Sequence, residues 1–303
     1  MGKTADIAES VSGLDYKYEL AHKTLKSMSR ERLLQFTYST MPSFLATPFH
    51  KHYYSILTDF ALGKIKKLMI FMPPQHGKSE GSTRRLPAFI LGLRPDTKIG
   101  IVSYSATKAR KFNREIQRVI DNEEYRSLFP ETKLNASNLQ TVSGGWLRNV
   151  DECEIVGCRG GFRTVGVCGP LTGEPIDVLI MDDIYKDAKS AWSPVVRESI
   201  NDWYDTVAET RLHNDSRQLI VFTRWHESDL AGRLLEQQGR YTNDHQDGWV
   251  VVTWQAIKVG APTETDSREE GEALWPERHS LEKLKSIRMR NPHVFESLYQ
   301  QDP

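Results

Sequence analysis

The chain has 303 residues, of which 26% are charged and 39% hydrophobic, and this ordinary globular composition argues against a disordered chain. Its 40 lysines and arginines balance 40 aspartates and glutamates, which argues against a protein that coats nucleic acid but allows a local basic surface. The three cysteines, Cys153, Cys158 and Cys168, include no CxxC pair, so we expect reduced thiols rather than a disulfide framework or a zinc site.

The N-terminal part of the chain has helical patterns and no membrane signal. Residues 1–45 are polar with leucines at helical spacing, which predicts one or two helices outside the main sheet. The aromatic-rich stretch from Pro48 to Leu62 predicts a further helix. The N-terminus lacks the apolar run of a signal peptide, and no stretch approaches the roughly 20 apolar residues that span a bilayer. We therefore expect no membrane contact.

Short apolar runs then alternate with helical patterns, which predicts a mainly parallel sheet covered by helices on both faces. The predicted strands are 67–72, 98–104, 178–181, 218–222 and 249–254. A basic amphipathic helix is predicted from Thr107 to about Asp121, an exposed loop at 260–271, and a C-terminal helix at 280–300. We predict three parts: an N-terminal helical segment (1–45), an α/β core (46–258) and a linker subdomain (259–303).

A phosphate-binding loop is indicated directly after the first strand. Gly77-Lys78-Ser79 lies between a predicted strand and a predicted helix, which is the context that such a loop requires, although Met72 occupies its first glycine position. Gly77 would let backbone N–H groups approach phosphate oxygens at a helix N-terminus. Lys78 would then bind the β- and γ-phosphates, and Ser79 would ligate Mg²⁺. The alternative is a Gly-Lys-Ser tripeptide at an ordinary helix start.

A second apolar strand ends in two carboxylates, Asp182 and Asp183. A P-loop ATPase needs one acid at a strand tip for the Mg²⁺ shell and another that orients and deprotonates the attacking water. Asp182 fits the metal role and Asp183 the role of the base, although an aspartate lies about one methylene further from the water than the more usual glutamate. The alternative is a pair of acids that cap the following turn or helix.

The next apolar strand, 218–222, ends in Thr223 and Arg224. A polar residue at this strand tip can hydrogen-bond the γ-phosphate or the attacking water and transmit hydrolysis to neighbouring elements. Thr223 is our candidate for this coupling role. Arg224 could assist it, and Ser228 or Asp229 would cap the helix that follows.

Five stretches in order resemble the ATPase domain of the large terminase subunit of tailed bacteriophages, and this similarity spans about residues 45–303. They are the phosphate loop of Pro74, Gln75, His76, Gly77, Lys78, Ser79 and Glu80 with Pro73 before it, the strand and helix of 102–109, the segment 166–173, the coupling segment 223–232, and the joining segments 274–277 and 299–303. The variant phosphate loop of this family tolerates loss of the first glycine.

The resemblance implies a P-loop NTPase fold of the ASCE or RecA-like type, with ATP and Mg²⁺ as cofactors. It implies translocation of double-stranded DNA into a procapsid by a ring of subunits docked on the portal protein, helped by a small terminase subunit. The isolated chain could be a monomer. The expected place is the host cytoplasm, transiently on the procapsid. In the family a C-terminal nuclease follows, and because this chain stops before it we expect no DNA cleavage.

The sequence determines less clearly which residue is the arginine finger and which residue contacts the adenine base. Glu174 follows Gly173, where the family often has Arg or Lys, so Arg84, Arg159 and Arg163 are the substitutes, acting in the same or a neighbouring subunit. The alternative for each is a surface salt bridge. Phe49 occupies the place where related motors contact adenine, and its alternative is a core aromatic.

A basic stripe is predicted on the helix after the second strand. Spacings of three and four put several of its cations on one face, where a sequence-independent DNA motor would contact phosphates. The alternative is a solvated helix face that Glu115 and Asp121 balance. The residues of this basic stripe are Lys108, Arg110, Lys111, Arg114 and Arg118.

Two other functions remain open at this point. A helicase-like or remodelling ATPase would share the phosphate loop and the acidic strand, but about 120 residues beyond Asp183 leave little room for its second motor domain. A non-catalytic nucleotide-binding domain would not need a base, and Asp183 is a competent carboxylate at the base position.

Overall fold

A seven-stranded sheet forms the centre of the chain, for which the computed structural model describes residues 23–136, 145–171 and 173–303. The strand order is β3-β4-β2-β5-β6-β1-β7, and every described pairing is parallel except that of β3 with β4. The strands are β1 (Lys67–Phe71), β2 (Lys98–Ser103), β3 (Glu152–Glu154), β4 (Gly161–Gly166), β5 (Val178–Asp182), β6 (Arg217–Phe222) and β7 (Val250–Thr253).

Helices cover both faces of the sheet, as strands buried on both sides require. Every residue of β5 and β6 is buried, and the two faces support two separate hydrophobic clusters. The helices are α1 (23–31), α2 (Leu33–Thr40), α3 (Pro48–Ala61), α4 (Leu86–Leu93), α5 (Ala106–Ile120), α6 (Glu123–Leu128), α7 (Ala188–Trp192), α8 (Pro194–Trp203), α9 (Leu230–Gln238), α10 (Leu281–Arg290) and α11 (Pro292–Val294).

The predicted α/β class, the five predicted strands and the basic helix are confirmed. Of the predicted N-terminal helical segment, residues 23–40 form α1 and α2, and residues 1–22 lie outside the description. The boundaries proposed at 45 and 258 stay a prediction. The cysteines within the described residues are free thiols. No helix in the described ranges is long and apolar enough to cross a membrane.

Three elements differ from the prediction. The strands β3 and β4 were not predicted, because β3 has only three residues, two of them glutamates, and β4 reads GFRTVG, which is neither an apolar run nor a strict apolar–polar alternation. The single helix predicted at 280–300 is interrupted: α10 ends at Arg290, and Asn291 takes a non-helical conformation and caps α11 with its side chain. Pro292 explains the break, since a proline disfavours the helical conformation of the residue before it.

Arg217 connects the first residue of β6 to the end of α3. Its guanidinium donates to the carbonyl oxygens of Phe60 and Ala61, both at 2.6 Å, at a helix end where the last carbonyls lack a full set of helical donors. Phe60 also accepts the backbone N–H of Gly63. The residue is 6% exposed, and burial lowers the pKa of its guanidinium to about 10, which keeps it charged at neutral pH. This buried cap fixes the helix that precedes the phosphate loop against the sheet.

We expect Arg217→Met to lower the free energy of unfolding by about 2–4 kcal/mol, because it leaves buried carbonyl groups without a charged donor. Lys66→Met is the matched control. Its ammonium lies 3.7 Å from Asp215 with both side chains mostly exposed, and such pairs contribute less than about 1 kcal/mol. Urea denaturation of both variants measures the difference, and equal losses would contradict the capping role.

Candidate functional site

Three neighbouring parallel strands end at one edge of the sheet, and the predicted catalytic residues follow them. β6 lies between β1 and β5, so the loop after β1, Thr223 after β6 and Asp183 after β5 meet at this edge. They line a cleft of about 800 Å³, a size typical of small-molecule sites. Its lining includes Pro74, Gln75, Gly77, Lys78, Ser79, Glu80, Arg84, Tyr104, Lys108, Asp183, Thr223, Trp275 and Arg278.

The backbone after β1 turns sharply before a helix begins at residue 78. Gln75 has φ 61° and Gly77 has φ 83°, the left-handed region that a side chain disfavours. At Gly77 a Cβ atom would also lie 3.1 Å from Nε2 of the buried His50. Position 77 therefore requires glycine both for its backbone angle and for the close approach of α3.

The helix that begins at residue 78 becomes π-helical over Glu80–Arg85 before it continues as α4. Two side chains donate to the carbonyl oxygen of Lys78, namely the buried Tyr53 hydroxyl from α3 and Ser82 Oγ at 2.8 Å. Side-chain donors at a helical carbonyl are a known cause of such irregular turns, which are frequent at functional sites.

Lys78 is 6% exposed, and its ammonium connects all three strand tips. It lies 2.8 Å from Asp183 Oδ1 and donates to Thr223 Oγ1. Asp183 Oδ1 also accepts the Thr223 backbone N–H at 3.1 Å. Asp183 adopts φ 45°, and its backbone is bonded to Val221 and Tyr104 on the neighbouring strands. The predicted lysine, base and coupling residue therefore form one hydrogen-bonded group.

Asp182 is fully buried beneath this group. Its Oδ2 accepts a hydrogen bond from Thr83, whereas Oδ1 has no hydrogen-bond partner in the described residues. Burial raises the pKa of Asp182, and the charge of Asp183 raises it further. An orphaned buried carboxylate oxygen beside the Ser79 hydroxyl fits the hard oxygen ligands that Mg²⁺ prefers. The described ranges hold no group of three or more His, Cys, Asp or Glu side chains that could hold a metal ion, but a nucleotide-bound magnesium needs only one or two protein ligands.

The three predicted arginines lie in different places. Arg84 lines the cleft, but its guanidinium is paired with Glu80 at 2.8 Å and with Glu115 on α5. Arg163 pairs with Glu152 within the sheet, and Arg159 precedes β4 at the opposite edge from the phosphate loop. Of the three, the structure brings only Arg84 to the cleft of its own chain.

Phe49 does not line the cleft. It is 4% exposed and packs against His50, His76 and Trp275, which is the core position that the sequence left as the alternative to adenine stacking. The sequence at the helix start Thr47-Pro48 does not show which of the neighbouring aromatic side chains faces solvent. Only the tertiary packing determines it.

Among the cleft residues that the sequence did not predict are Trp275 and Arg278. They lie some 200 residues after the phosphate loop; Trp275 falls in the segment 274–277 that the sequence singled out only by its family resemblance, and Arg278 directly follows it. Thr172, in another of those resembling segments, lies outside the described residues. A tryptophan and an arginine three positions apart have no pattern that predicts a nucleotide site.

The basic stripe of α5 is only partly free. Arg110 pairs with Asp151 at 2.7 Å, Lys111 lies 4.0 Å from Glu115, and Lys108 stacks over Phe112. Arg114 and Arg118 are exposed one turn apart and line a shallow groove that also holds Arg148. Within the described residues, the cations of the stripe that are not paired with a carboxylate are therefore Lys108, Arg114 and Arg118. The groove beside Arg114 and Arg118 also holds the carboxylates of Asp121, Asp151 and Glu152.

The sheet order, the phosphate loop and the acidic strand tip define a P-loop NTPase fold. The family model described as "Terminase large subunit, T4likevirus-type, N-terminal" matches residues 69–292. The chain therefore belongs to the family of large terminase subunits, of which it corresponds to the N-terminal ATPase domain. A search of curated protein sequences gave no match.

Two solved structures, both of the large terminase ATPase domain of Thermus phage P74-26, share the fold. One is a point mutant with TM-score 0.52 and 15% identity, covering 89% of this chain and 99% of that chain. The other is the domain itself, with TM-score 0.52 and 16% identity over 89% and 98% of the two chains. The predicted fold class and family are both confirmed.

Burial of His50 makes the free energy of unfolding depend on pH. Its Nδ1 bonds to Thr47, its Nε2 has no partner in the described residues, and burial lowers its pKa to about 4. The unfolded chain binds a proton below about pH 6.5, whereas folded His50 does so only near pH 4, so its stabilising effect is complete above pH 7 and is lost as pH falls.

We expect the free energy of unfolding to fall between pH 7 and pH 5, with about 2 kcal/mol of that loss due to His50. His50→Gln should remove this share of the pH dependence. The raised pKa of Asp182 acts with the opposite sign, but it acts in both proteins and cancels in the comparison. Urea titrations at both pH values measure the difference, and an unchanged pH dependence in the variant would refute the assignment.

Proposed function

We propose that this chain hydrolyses ATP with Mg²⁺ and uses the energy to move double-stranded viral DNA into a procapsid. The observation that supports hydrolysis best is the group of Lys78, Asp183 and Thr223 at three adjoining strand tips, with Asp182 buried behind it. A non-catalytic nucleotide-binding domain would not need a second carboxylate at the strand tip beside the one that could hold Mg²⁺, and this chain has both Asp182 and Asp183 there.

In this proposal the loop from Pro74 to Glu80 binds the phosphates of ATP. The left-handed backbone at Gln75 and Gly77 lets successive N–H groups face one concavity, and the helix that starts at residue 78 adds its positive end. Mg²⁺ would be held by Ser79 and by the free Oδ1 of Asp182, and when bound it would neutralise charge that develops on the phosphates.

The ion pair of Lys78 with Asp183 has a consequence for catalysis. While Lys78 holds Asp183 Oδ1, that oxygen is not available to the attacking water. Phosphates would compete for the Lys78 ammonium, and Asp183 would then be free to orient and deprotonate the attacking water. ATP binding itself would thus activate the base, which limits hydrolysis to the loaded site.

The tip of β6 provides a route from this chemistry to the rest of the chain. Thr223 contacts Lys78 and Asp183, and the next residue, Arg224, donates its backbone N–H to Gln301 Oε1 at 3.1 Å. The Arg224 guanidinium pairs with the buried Asp229, which caps α9. A change at Thr223 would therefore move both α9 and the last residues of the chain.

The DNA, the portal protein and the small terminase subunit are the partners that we propose, with a ring of subunits as the working assembly in the host cytoplasm and on the procapsid. Membership of the large terminase family supports this set. Family membership likewise favours a packaging motor over a helicase-like remodelling ATPase.

Steady-state hydrolysis of ATP tests the site. We expect the parent chain to turn over ATP, and Lys78→Ala and Asp183→Asn each to lower kcat at least about 100-fold, because they remove the phosphate contact and the base. Asp183→Asn should still bind ATP, whereas Lys78→Ala should bind it weakly. Lys66→Met is the surface control. A parent chain that binds no nucleotide would refute the proposal.

Filter binding of random-sequence duplex DNA tests the basic stripe. Because phosphate contacts release counterions, log Kobs should fall linearly with log salt, and Arg114→Ala with Arg118→Ala should reduce the slope by about 2. Arg110→Ala is the matched control, since Arg110 is already paired with Asp151. A slope that the double variant leaves unchanged would remove the stripe from the DNA-binding surface.

A further inference from the structure

The C-terminal segment (residues 259–303) lies against the phosphate loop. The His279 ring stacks on that of His76 in the loop, with centroids 4.6 Å apart and an angle of 23° between their planes. The edge of Trp275 meets His50 behind the loop, with 4.7 Å between centroids. Both Trp275 and Arg278 line the cleft together with Gly77 and Lys78.

Arg278 differs in its pairing from the other arginine of this cleft. Arg84 is held by the carboxylates of Glu80 and Glu115. The Arg278 guanidinium instead lies 5.2 Å from the centre of the Trp275 ring, and no carboxylate in the described ranges pairs with it. Stacking on a tryptophan orients a guanidinium without neutralising it. Arg278 is therefore a pre-oriented, uncompensated cation at the edge of the cleft.

A triphosphate in this cleft would need an unpaired cation, because two other cations of the cleft are already paired with carboxylates. The Lys78 ammonium is paired with Asp183, and Arg84 is neutralised by two glutamates. A triphosphate that enters must find cations that are free to bind it, and a guanidinium binds phosphate through two parallel N–H groups. Lys108 and Lys186 also line the cleft, but a lysine lacks this fork.

We infer that Arg278 is a nucleotide-contacting residue, whose guanidinium binds the phosphate chain of ATP within the same chain. This inference rests on the proposed function. It also gives the C-terminal segment a direct contact with nucleotide, in addition to the His279 stack on the loop. When the phosphate leaves, the C-terminal segment would then lose this contact with the nucleotide.

The test is nucleotide binding by the full 303-residue chain with Mg²⁺, measured by titration calorimetry with ATP-γ-S and ADP, beside steady-state ATP hydrolysis. We expect Arg278→Ala to weaken ATP-γ-S binding by about tenfold to a hundredfold. Arg278→Lys should recover part of this loss, since it keeps the charge and loses the fork. Arg290→Ala, an exposed arginine at the end of α10 outside the cleft, is the matched control and should bind as the parent does.

The outcomes separate this inference from the proposed function. If the parent chain binds and hydrolyses ATP, and Arg278→Ala binds and hydrolyses it equally well, the inference is overturned and the proposed function is not. Parent chain that binds no nucleotide overturns both. Because Arg278 is exposed, the thermal unfolding midpoint of nucleotide-free Arg278→Ala should match the parent. The inference would also be overturned if Arg278→Ala lowered the thermal stability of the chain and Arg290→Ala weakened nucleotide binding to the same extent.

Discussion

The buried ammonium of Lys78 is the interaction on which the site depends. An ammonium that is removed from water is costly unless charged and polar groups surround it, and Lys78 obtains these groups from Asp183 and Thr223. Since the three residues follow β1, β5 and β6, the pairing requires that these strands be neighbours and end at the same level. The strand order places β6 between the other two and so meets this requirement.

Behind the phosphate loop, a layer of packed aromatic side chains holds the loop in position. From α3, Tyr53 donates to the Lys78 carbonyl and His50 lies against Gly77. From the C-terminal segment, His279 stacks on His76, and Trp275 contacts the rings of both His76 and His50. These groups are packed tightly enough that a Cβ atom at Gly77 would crowd His50. The first helix of the core and the last segment of the chain are therefore both coupled to the phosphate loop through packed rings.

The arginines of the chain illustrate how context divides one residue type among several tasks. Arg217 is buried and caps a helix, Arg224 pairs with a buried aspartate, and Arg84 joins two helices through glutamates. Arg278 stacks on a tryptophan and keeps its charge available. Charge alone gives no basis for separating these roles, because each depends on which carboxylate, carbonyl or ring the fold brings within a few ångströms.

The sequence by itself determined the α/β class, five of the seven strands, the family, and the identity of Lys78, Asp182, Asp183 and Thr223 as candidates. These follow from local signals, namely apolar runs of strand length and polar residues at their ends. The tertiary structure alone decided that Phe49 is in the core, that Arg159 and Arg163 lie away from the cleft of their own chain, and that Trp275 and Arg278 line it. Such positions depend on contacts between segments far apart in the chain, which no local pattern records.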